Sequence, residues 1–227
     1  EGRTILHDVE CRDYIAHIRE EVRPWSYMKF PYLRHLGPEK GWYRVGPLAR
    51  LNTADFIPSP LAQKELEGYR GVVGRTSNSC LHTHWARLIE TLHAAEMIRD
   101  LLRDPDLQGT ELTVTGKREA EGVGIIEAPR GTLIHHYRVS PEDQIVMANL
   151  IVSTTHNNEP MNRAVNHVAK ALMTGAKVIT EGMMNGVEVA IRAYDPCLSC
   201  ATHAYGSMAL EITLCDASGD VIARRAR

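Results

Sequence analysis

Apolar side chains return at three- and four-residue steps most clearly across residues 79–103. Leu81, Trp85, Leu88, Leu92 and Ala95 form one stripe there, which Ile89 and Ile98 widen. That spacing predicts the longest helix of the chain, closed by Asp104-Pro105, because proline disfavours the helical conformation in the residue before it. The same period predicts a helix over 8–22, with Tyr14, Ile15, Ile18 and Val22 on one side and Pro24 beyond its end. Residues 24–60 carry proline, glycine and aromatic side chains without a period, which predicts an ordered loop packed on a larger body. A short helix is predicted over 60–69. The pattern then changes to β-rich runs at 122–126, 132–139 and 144–153, separated by Pro-Arg-Gly and Ser-Pro-Glu-Asp turns, so a small antiparallel sheet is expected. Helices follow over 160–173 and 180–194, where Pro196 prevents continuation, and runs at 210–214 and 221–223 flank an Asp-Ala-Ser-Gly-Asp turn as a hairpin. The expected class is mainly α with a small antiparallel β-sheet, an α+β arrangement.

At 227 residues the chain can bury a substantial core, as one large domain or two small ones. A formal charge of −2 leaves no basic footprint for nucleic acid or for an anionic membrane surface. No apolar run approaches the roughly 20 residues that span a bilayer, and no charged-then-apolar leader is read at the start. The five cysteines are odd in number and scattered apart from one close pair, which fits a reducing cytoplasm better than a secreted disulfide framework. The chain opens at Glu1 without an initiator methionine, on residues that already lead into a helix, and so reads as a fragment or a processed product. Internal repeats, low-complexity tracts and a glycine-rich phosphate loop are not found.

The close pair lies in Asp195-Pro196-Cys197-Leu198-Ser199-Cys200-Ala201-Thr202-His203. Two residues between the thiols let both sulfurs face one soft transition metal. The same spacing serves disulfide exchange, or half of a zinc site. A thioredoxin-type pair opens a helix within a βαβ unit, whereas this one follows a helix. A zinc ribbon needs a second C-x-x-C, which Cys11, Cys80 and Cys215 do not offer. On spacing alone, a metal site, redox chemistry and plain structural cysteines all stay open. His82, His84 and His93, on or near the long helix, read as surface or hydrogen-bonded core groups. Taken singly, Arg130 reads as a surface turn residue and Asp195 as a helix-terminal residue placed before proline.

The surrounding residues narrow this. IRAYDPCLSCATHAYG (191–206) resembles the C-terminal ligand motif of nickel–iron hydrogenase large subunits, Asp-Pro-Cys-x-x-Cys-x-x-His. YRVGPLARLN (43–52), HTHWARLIETLHAAE (82–96), EAPRGTLIHHY (127–137) and NLIVSTTHNN (149–158) resemble further blocks of that family, in family order. LSCATHA and STTHNN are most similar to the soluble cytoplasmic members, which pass electrons to NAD or to a heterodisulfide reductase partner. The resemblance implies a buried binuclear centre of nickel and iron, the iron carrying cyanide and carbon monoxide, that splits hydrogen heterolytically. It implies Cys197 as terminal nickel ligand and Cys200 as a bridge between the metals. Arg130 matches the residue over the open metal position, where a guanidinium donates to a cyanide nitrogen and assists charge separation. Thr154 matches the hydroxyl that donates to the second cyanide. Pro129 and Asp195 match the remaining canopy positions, with Asp195 able to pair with Arg130. His203, with the backbone carbonyl of Leu150, matches the ligands of a magnesium-type ion.

In this family an endopeptidase cuts after the histidine once nickel is inserted. Residues 1–203 are therefore expected to be the C-terminal part of a large subunit, and 204–227 a propeptide, with Cys215 non-catalytic. The expected partners are an iron–sulfur small subunit, diaphorase or heterodisulfide-reductase-type subunits, the maturation endopeptidase and nickel-insertion proteins. One departure is large: the Arg-x-Cys-Gly-x-Cys motif that supplies the other two thiolates has no counterpart at Cys11 or Cys80. A truncated sequence, or a companion N-terminal polypeptide, is expected to complete the site, and the chain alone is expected to be inactive. Ser153 replaces the proline or alanine of many relatives and adds a hydroxyl near the site. A quinone-site relative from respiratory complex I is disfavoured because Cys197, Cys200 and His203 are all present. A metal-carrying assembly module, or a fragment without function of its own, is the other rival.

Overall fold

The computed structural model describes residues 6–198, 200 and 211–226. In chain order its elements are α1 (Tyr14–His17), β1 (Ile18–Val22), β2 (Lys29–Leu33), α2 (Gly37–Lys40), α3 (Pro47–Thr53), α4 (Pro60–Val73) and α5 (His82–Leu101). Then come β3 (Glu121–Ala128), β4 (Gly131–Val139), β5 (Ile145–Ile151), α6 (Ser153–His156), α7 (Asn158–Met173), α8 (Glu181–Arg192), β6 (Glu211–Cys215) and β7 (Val221–Ala226). Helices are joined by small antiparallel sheets, β1–β2, β3–β4–β5 and β6–β7, in keeping with the expected class. Among the described residues no helix is long and apolar enough to cross a membrane. Two compact units divide the chain: one comprises residues up to 16 together with 45–153, the other 17–44 together with 154 onward.

In the first unit the core lies where α3, α4 and α5 meet, built from Leu48, Leu51, Ala62, Leu66, Tyr69, Ala86 and Ile89. Ala62, Leu66 and Tyr69 recur at helical spacing on α4, so one face is wholly buried. The predicted stripe of α5 requires correction. Leu88 is 68% exposed and Ile98 59%, while Thr83, Ala86, Ile89 and Glu96 are the buried positions and Trp85 and Leu92 pack at the side. The small residues Thr83 and Ala86 bring the helix close to its neighbours, and hydrophobicity alone does not report that preference. Glu96 is buried because its carboxylate accepts the N–H groups of Leu61 (3.2 Å) and Ala62 (2.9 Å), which open α4 and have no intrahelical acceptor.

The three-stranded sheet of this unit is a meander with β4 in the centre, Ile134 facing Ile125 on one side and Ile151 on the other. Tyr14 is buried against it. Asn149 Nδ2 donates to the Tyr14 hydroxyl (2.9 Å), which donates to His136 Nδ1 (3.0 Å), and His136 Nε2 donates to Glu121 (2.7 Å). Each donor in that chain has an acceptor when His136 carries its hydrogen on Nε2.

Of the predicted helix over 8–22 only a 3-10 turn at Cys11–Asp13 and α1 form, and residues 8–10 are not helical. Residues 18–22 form β1 and pair with β2 from Ile18 opposite Leu33 to Val22 opposite Lys29. The β-branched Ile18 and Val22 suit the ladder, and a complementary edge lies only a short turn away. The 24–60 region is largely irregular but carries the short elements β2, α2 and α3. Arg23 fastens the second unit, bonding Glu21 (2.9 Å) and Glu159 (2.8 Å) and lying 4.0 Å above the Phe30 ring. Helices α7 and α8 match their predicted positions and bury Met161, Met173, Met184, Val187 and Ala190. Thr180 caps α8 by accepting from the Met183 N–H at 3.3 Å. The β6–β7 hairpin matches its prediction, and Arg225 bonds Glu181 at 2.9 Å.

Candidate functional site

Helix α8 ends in a series of turns in which Tyr194 N–H meets the Ile191 carbonyl and Asp195 N–H meets the Arg192 carbonyl, each at 3.0 Å. Asp195 then takes a φ of +48°, a left-handed conformation that aspartate tolerates better than most residues through its short polar side chain. Pro196 follows and cannot extend the helix. The backbone N–H of Cys197, leaving the helix, donates to Thr154 Oγ1 at 3.1 Å. A hydroxyl that accepts one bond keeps its hydrogen for a second partner.

Thr154 belongs to an unusual run. Thr154, Thr155, His156, Asn157 and Asn158 are all buried, although polar side chains normally stay at the surface. Specific bonds account for the run's burial. Asn158 Nδ2 donates to the Lys29 carbonyl (2.7 Å), and the Tyr43 hydroxyl meets His156 Nδ1 at 2.6 Å. Desolvation, and then the charge of Glu20, push the Tyr43 phenol upward from its ordinary value. Tyr43 therefore stays a proton donor, and His156 accepts at Nδ1.

In the other unit, Ala128 faces Gly131 across the β3–β4 ladder, so Pro129 and Arg130 are the two residues of a tight hairpin turn. Gly131 has φ +132°, and a Cβ there would lie 2.2 Å from Val45 Cγ2. A Cβ on Gly46 would lie 2.9 Å from the Arg130 carbonyl oxygen, so only glycine lets the two backbones approach. Ser153 Oγ donates to the Gly131 carbonyl at 2.8 Å. Its hydroxyl thus fastens the turn. Arg50 bonds the carbonyls of Ala128 (3.0 Å) and Pro129 (2.9 Å), together with Glu90 and Glu127. Burial works against the Arg50 charge, yet bonding to Glu90 and Glu127 outweighs it and raises the guanidinium pKa.

Of the residues singled out by sequence, Thr154 and Cys197 are brought into direct contact. Pro129 and Arg130 share the hairpin turn, and Leu150 lies on β5 opposite His135. Asp195 forms the turn that precedes Cys197, which is half-buried, and Cys200 is exposed. His203 lies outside the described residues. Among the described residues no three His, Cys, Asp or Glu side chains gather in metal-binding geometry. The donor set here is two soft thiols three residues apart, the first with its amide bonded to a buried hydroxyl. Arg50, Tyr43 and His156 fall within the sequence blocks but received no role there. No spacing links residue 43 to 156, or 50 to 128 and 129; folding alone joins them.

The model of the family described as nickel-dependent hydrogenase matches residues 6–203. The beta subunit of the NAD-reducing hydrogenase HoxS of Cupriavidus necator is 54% identical, covering 100% of this chain and 47% of its own length. An F420-non-reducing hydrogenase chain of Methanothermobacter thermautotrophicus is 43% identical, covering 97% of this chain and 47% of its own. The crystal structure of an NAD+-reducing NiFe hydrogenase in the H2-reduced state superposes with a TM-score of 0.84 at 52% identity, over 88% of this chain and 44% of that one. The chain thus spans about half the length of the curated relatives it matches. It belongs to the nickel-dependent hydrogenase family, as the C-terminal portion of a large subunit.

Proposed function

We propose that this chain supplies half of the thiolate cage of a nickel–iron centre in a hydrogenase that oxidises hydrogen reversibly to protons and electrons. The observation that carries the reading is the Cys197 N–H bond to the buried Thr154 hydroxyl, which ties the thiol-bearing turn to a run of buried polar side chains. When bound, the centre supplies redox-active nickel and a low-spin iron with cyanide and carbon monoxide ligands. Cys197 and Cys200 would hold the metals through their thiolates. Thr154, oriented through the bond it accepts, would donate its O–H to a cyanide nitrogen. The Arg130 guanidinium would donate to the other cyanide and favour the separation of charge in heterolytic cleavage. By resemblance to the family, Pro129 and Asp195 would be the remaining canopy residues. By the same resemblance, His203 and the Leu150 carbonyl would hold a magnesium-type ion.

The other two thiolates come from the N-terminal part of the large subunit, so this chain alone is inactive. Electrons leave through an iron–sulfur small subunit, and the 54% identity to an NAD-reducing relative favours diaphorase-type subunits and NAD as the route. The cytoplasm is the compartment, and residues 204–227 form a propeptide that an endopeptidase removes after nickel insertion. Nickel analysis and infrared spectroscopy test the reading, on the chain assembled with the rest of its large subunit. Cyanide and carbonyl bands are expected, with loss of both bands and nickel in Cys197→Ser and Cys200→Ser and retention in Cys215→Ser. Bands that persist in Cys197→Ser overturn it, and zinc in place of nickel favours a metal-carrying assembly module.

A further inference from the structure

We propose that Arg50 is a positioning residue for Arg130, acting through the backbone of the hairpin turn that carries it. The inference rests on the assignment of Arg130 to the reacting centre. An arginine has five N–H donors in a rigid fork, and Arg50 uses every one. Nε and one Nη2 hydrogen grip Glu90 in a bidentate pair, both at 2.6 Å. The Nη1 hydrogens reach Glu127 Oε2 (2.9 Å) and the Ala128 carbonyl (3.0 Å). The remaining Nη2 hydrogen reaches the Pro129 carbonyl at 2.9 Å. Two of the five bonds thus end on the carbonyls of the two residues directly before Arg130.

The opposite side of the turn is held as well. Ser153 fixes the Gly131 carbonyl and the Gly46 backbone closes on the Arg130 carbonyl. The peptide planes on both sides of Arg130 therefore have restrained orientations, and its long side chain departs from a fixed Cα. Glu90 aims the fork, and the buried half of α3 behind Arg50, with Pro47, Leu48 and Leu51, keeps it from following the turn if the turn moves. Lysine cannot replace this arrangement, because an ammonium has three donors and no planar fork. This is a selection for geometry as well as for charge.

The experiment compares Arg50→Lys, Glu90→Gln and Arg130→Lys, with Arg75→Lys as a control at an exposed ion pair. In the 227-residue chain, hydrogen–deuterium exchange of a peptide covering 127–133 should accelerate about tenfold or more in Arg50→Lys and less in Glu90→Gln, while α7–α8 peptides stay unchanged. In the assembled hydrogenase, Arg50→Lys should keep its nickel, lower kcat on the order of 10- to 100-fold at constant KM for hydrogen, and shift a cyanide band in the same direction as Arg130→Lys. Accelerated exchange at 127–133 with unchanged kcat and cyanide bands overturns the positioning role and leaves that of Arg130 standing. Unchanged exchange overturns it as well. Full activity in Arg130→Lys defeats the assignment of Arg130 itself, a separate failure. Should Arg50→Lys fail to fold, Glu90→Gln, which weakens only the aiming of the fork, carries the same readouts.

Discussion

Replacing Thr154 separates the hydrogen bond its hydroxyl accepts from the share of its side chain in packing. Thr154→Val keeps the shape of a buried side chain and removes the acceptor of the Cys197 N–H, now at 3.1 Å. A typical net hydrogen bond contributes about 1 kcal/mol, and stranding a buried donor costs about 1–3 kcal/mol. Cys197 is only half-buried, so water can reach its amide and the lower end applies, about 1–1.5 kcal/mol. Thr154→Ser keeps the hydroxyl and deletes one buried methyl, which by analogy with Ile→Val costs about 0.5–1.5 kcal/mol. The two variants should thus have similar midpoints in denaturant titrations. They should differ at the amide of Cys197, where Val raises the exchange rate about tenfold and Ser leaves it near the wild-type rate, since about 1.4 kcal/mol of local opening is a factor of ten. Nuclear magnetic resonance of the labelled chain measures both. Equal protection of Cys197 in Val and wild type would refute the reasoning, because the bond would then have no part in holding the thiol turn.

Gly131→Ala should cost about 2–4 kcal/mol, since φ is +132° and the new Cβ would sit 2.2 Å from Val45 Cγ2; a thermal melt checks it, and a loss under about 1 kcal/mol would mean the turn can relax. Glu96→Ala strands the amides of Leu61 and Ala62 at the start of α4 and opens a cavity in the core, for an expected loss of about 3–5 kcal/mol in chemical denaturation. Burial raises the Glu20 pKa, with Lys29 opposing, so the folded state holds that proton more tightly than the unfolded chain does. The associated stability is present at low pH and is lost as pH climbs from the usual carboxylate range through the raised value. Glu20→Gln should therefore gain on the wild type across that window, and a difference between the two that stays flat with pH contradicts the assignment.

Much of the secondary structure was legible locally. The β-rich runs, helices α4, α7 and α8 and the final hairpin follow from periodicity, proline and turn residues, because neighbours in sequence carry those signals. The N-terminal segment misled for a physical reason. Ile18 and Val22 fit a helical period as well as a strand, and only the edge offered by residues 29–33 decides between them. The face of α5 was misread for a related reason: close packing chose Thr83 and Ala86, and a buried carboxylate at Glu96, over the bulkier Leu88 and Ile98. The cysteine spacing left metal, redox and structural readings open, and the likeness of the flanking residues to nickel–iron hydrogenase large subunits pointed to the family.

By itself, then, the sequence marked out the side chains proposed to bear the chemistry: the thiols at 197 and 200, the guanidinium at 130 and the hydroxyl at 154. Tertiary structure decided what holds them. The Cys197 amide meets Thr154 across 43 residues, Arg50 reaches the carbonyls of 128 and 129 across 78 and 79, and Tyr43 meets His156 across 113. Hydrogen bonds act over a few ångströms whatever the chain separation, so no linear pattern encodes them.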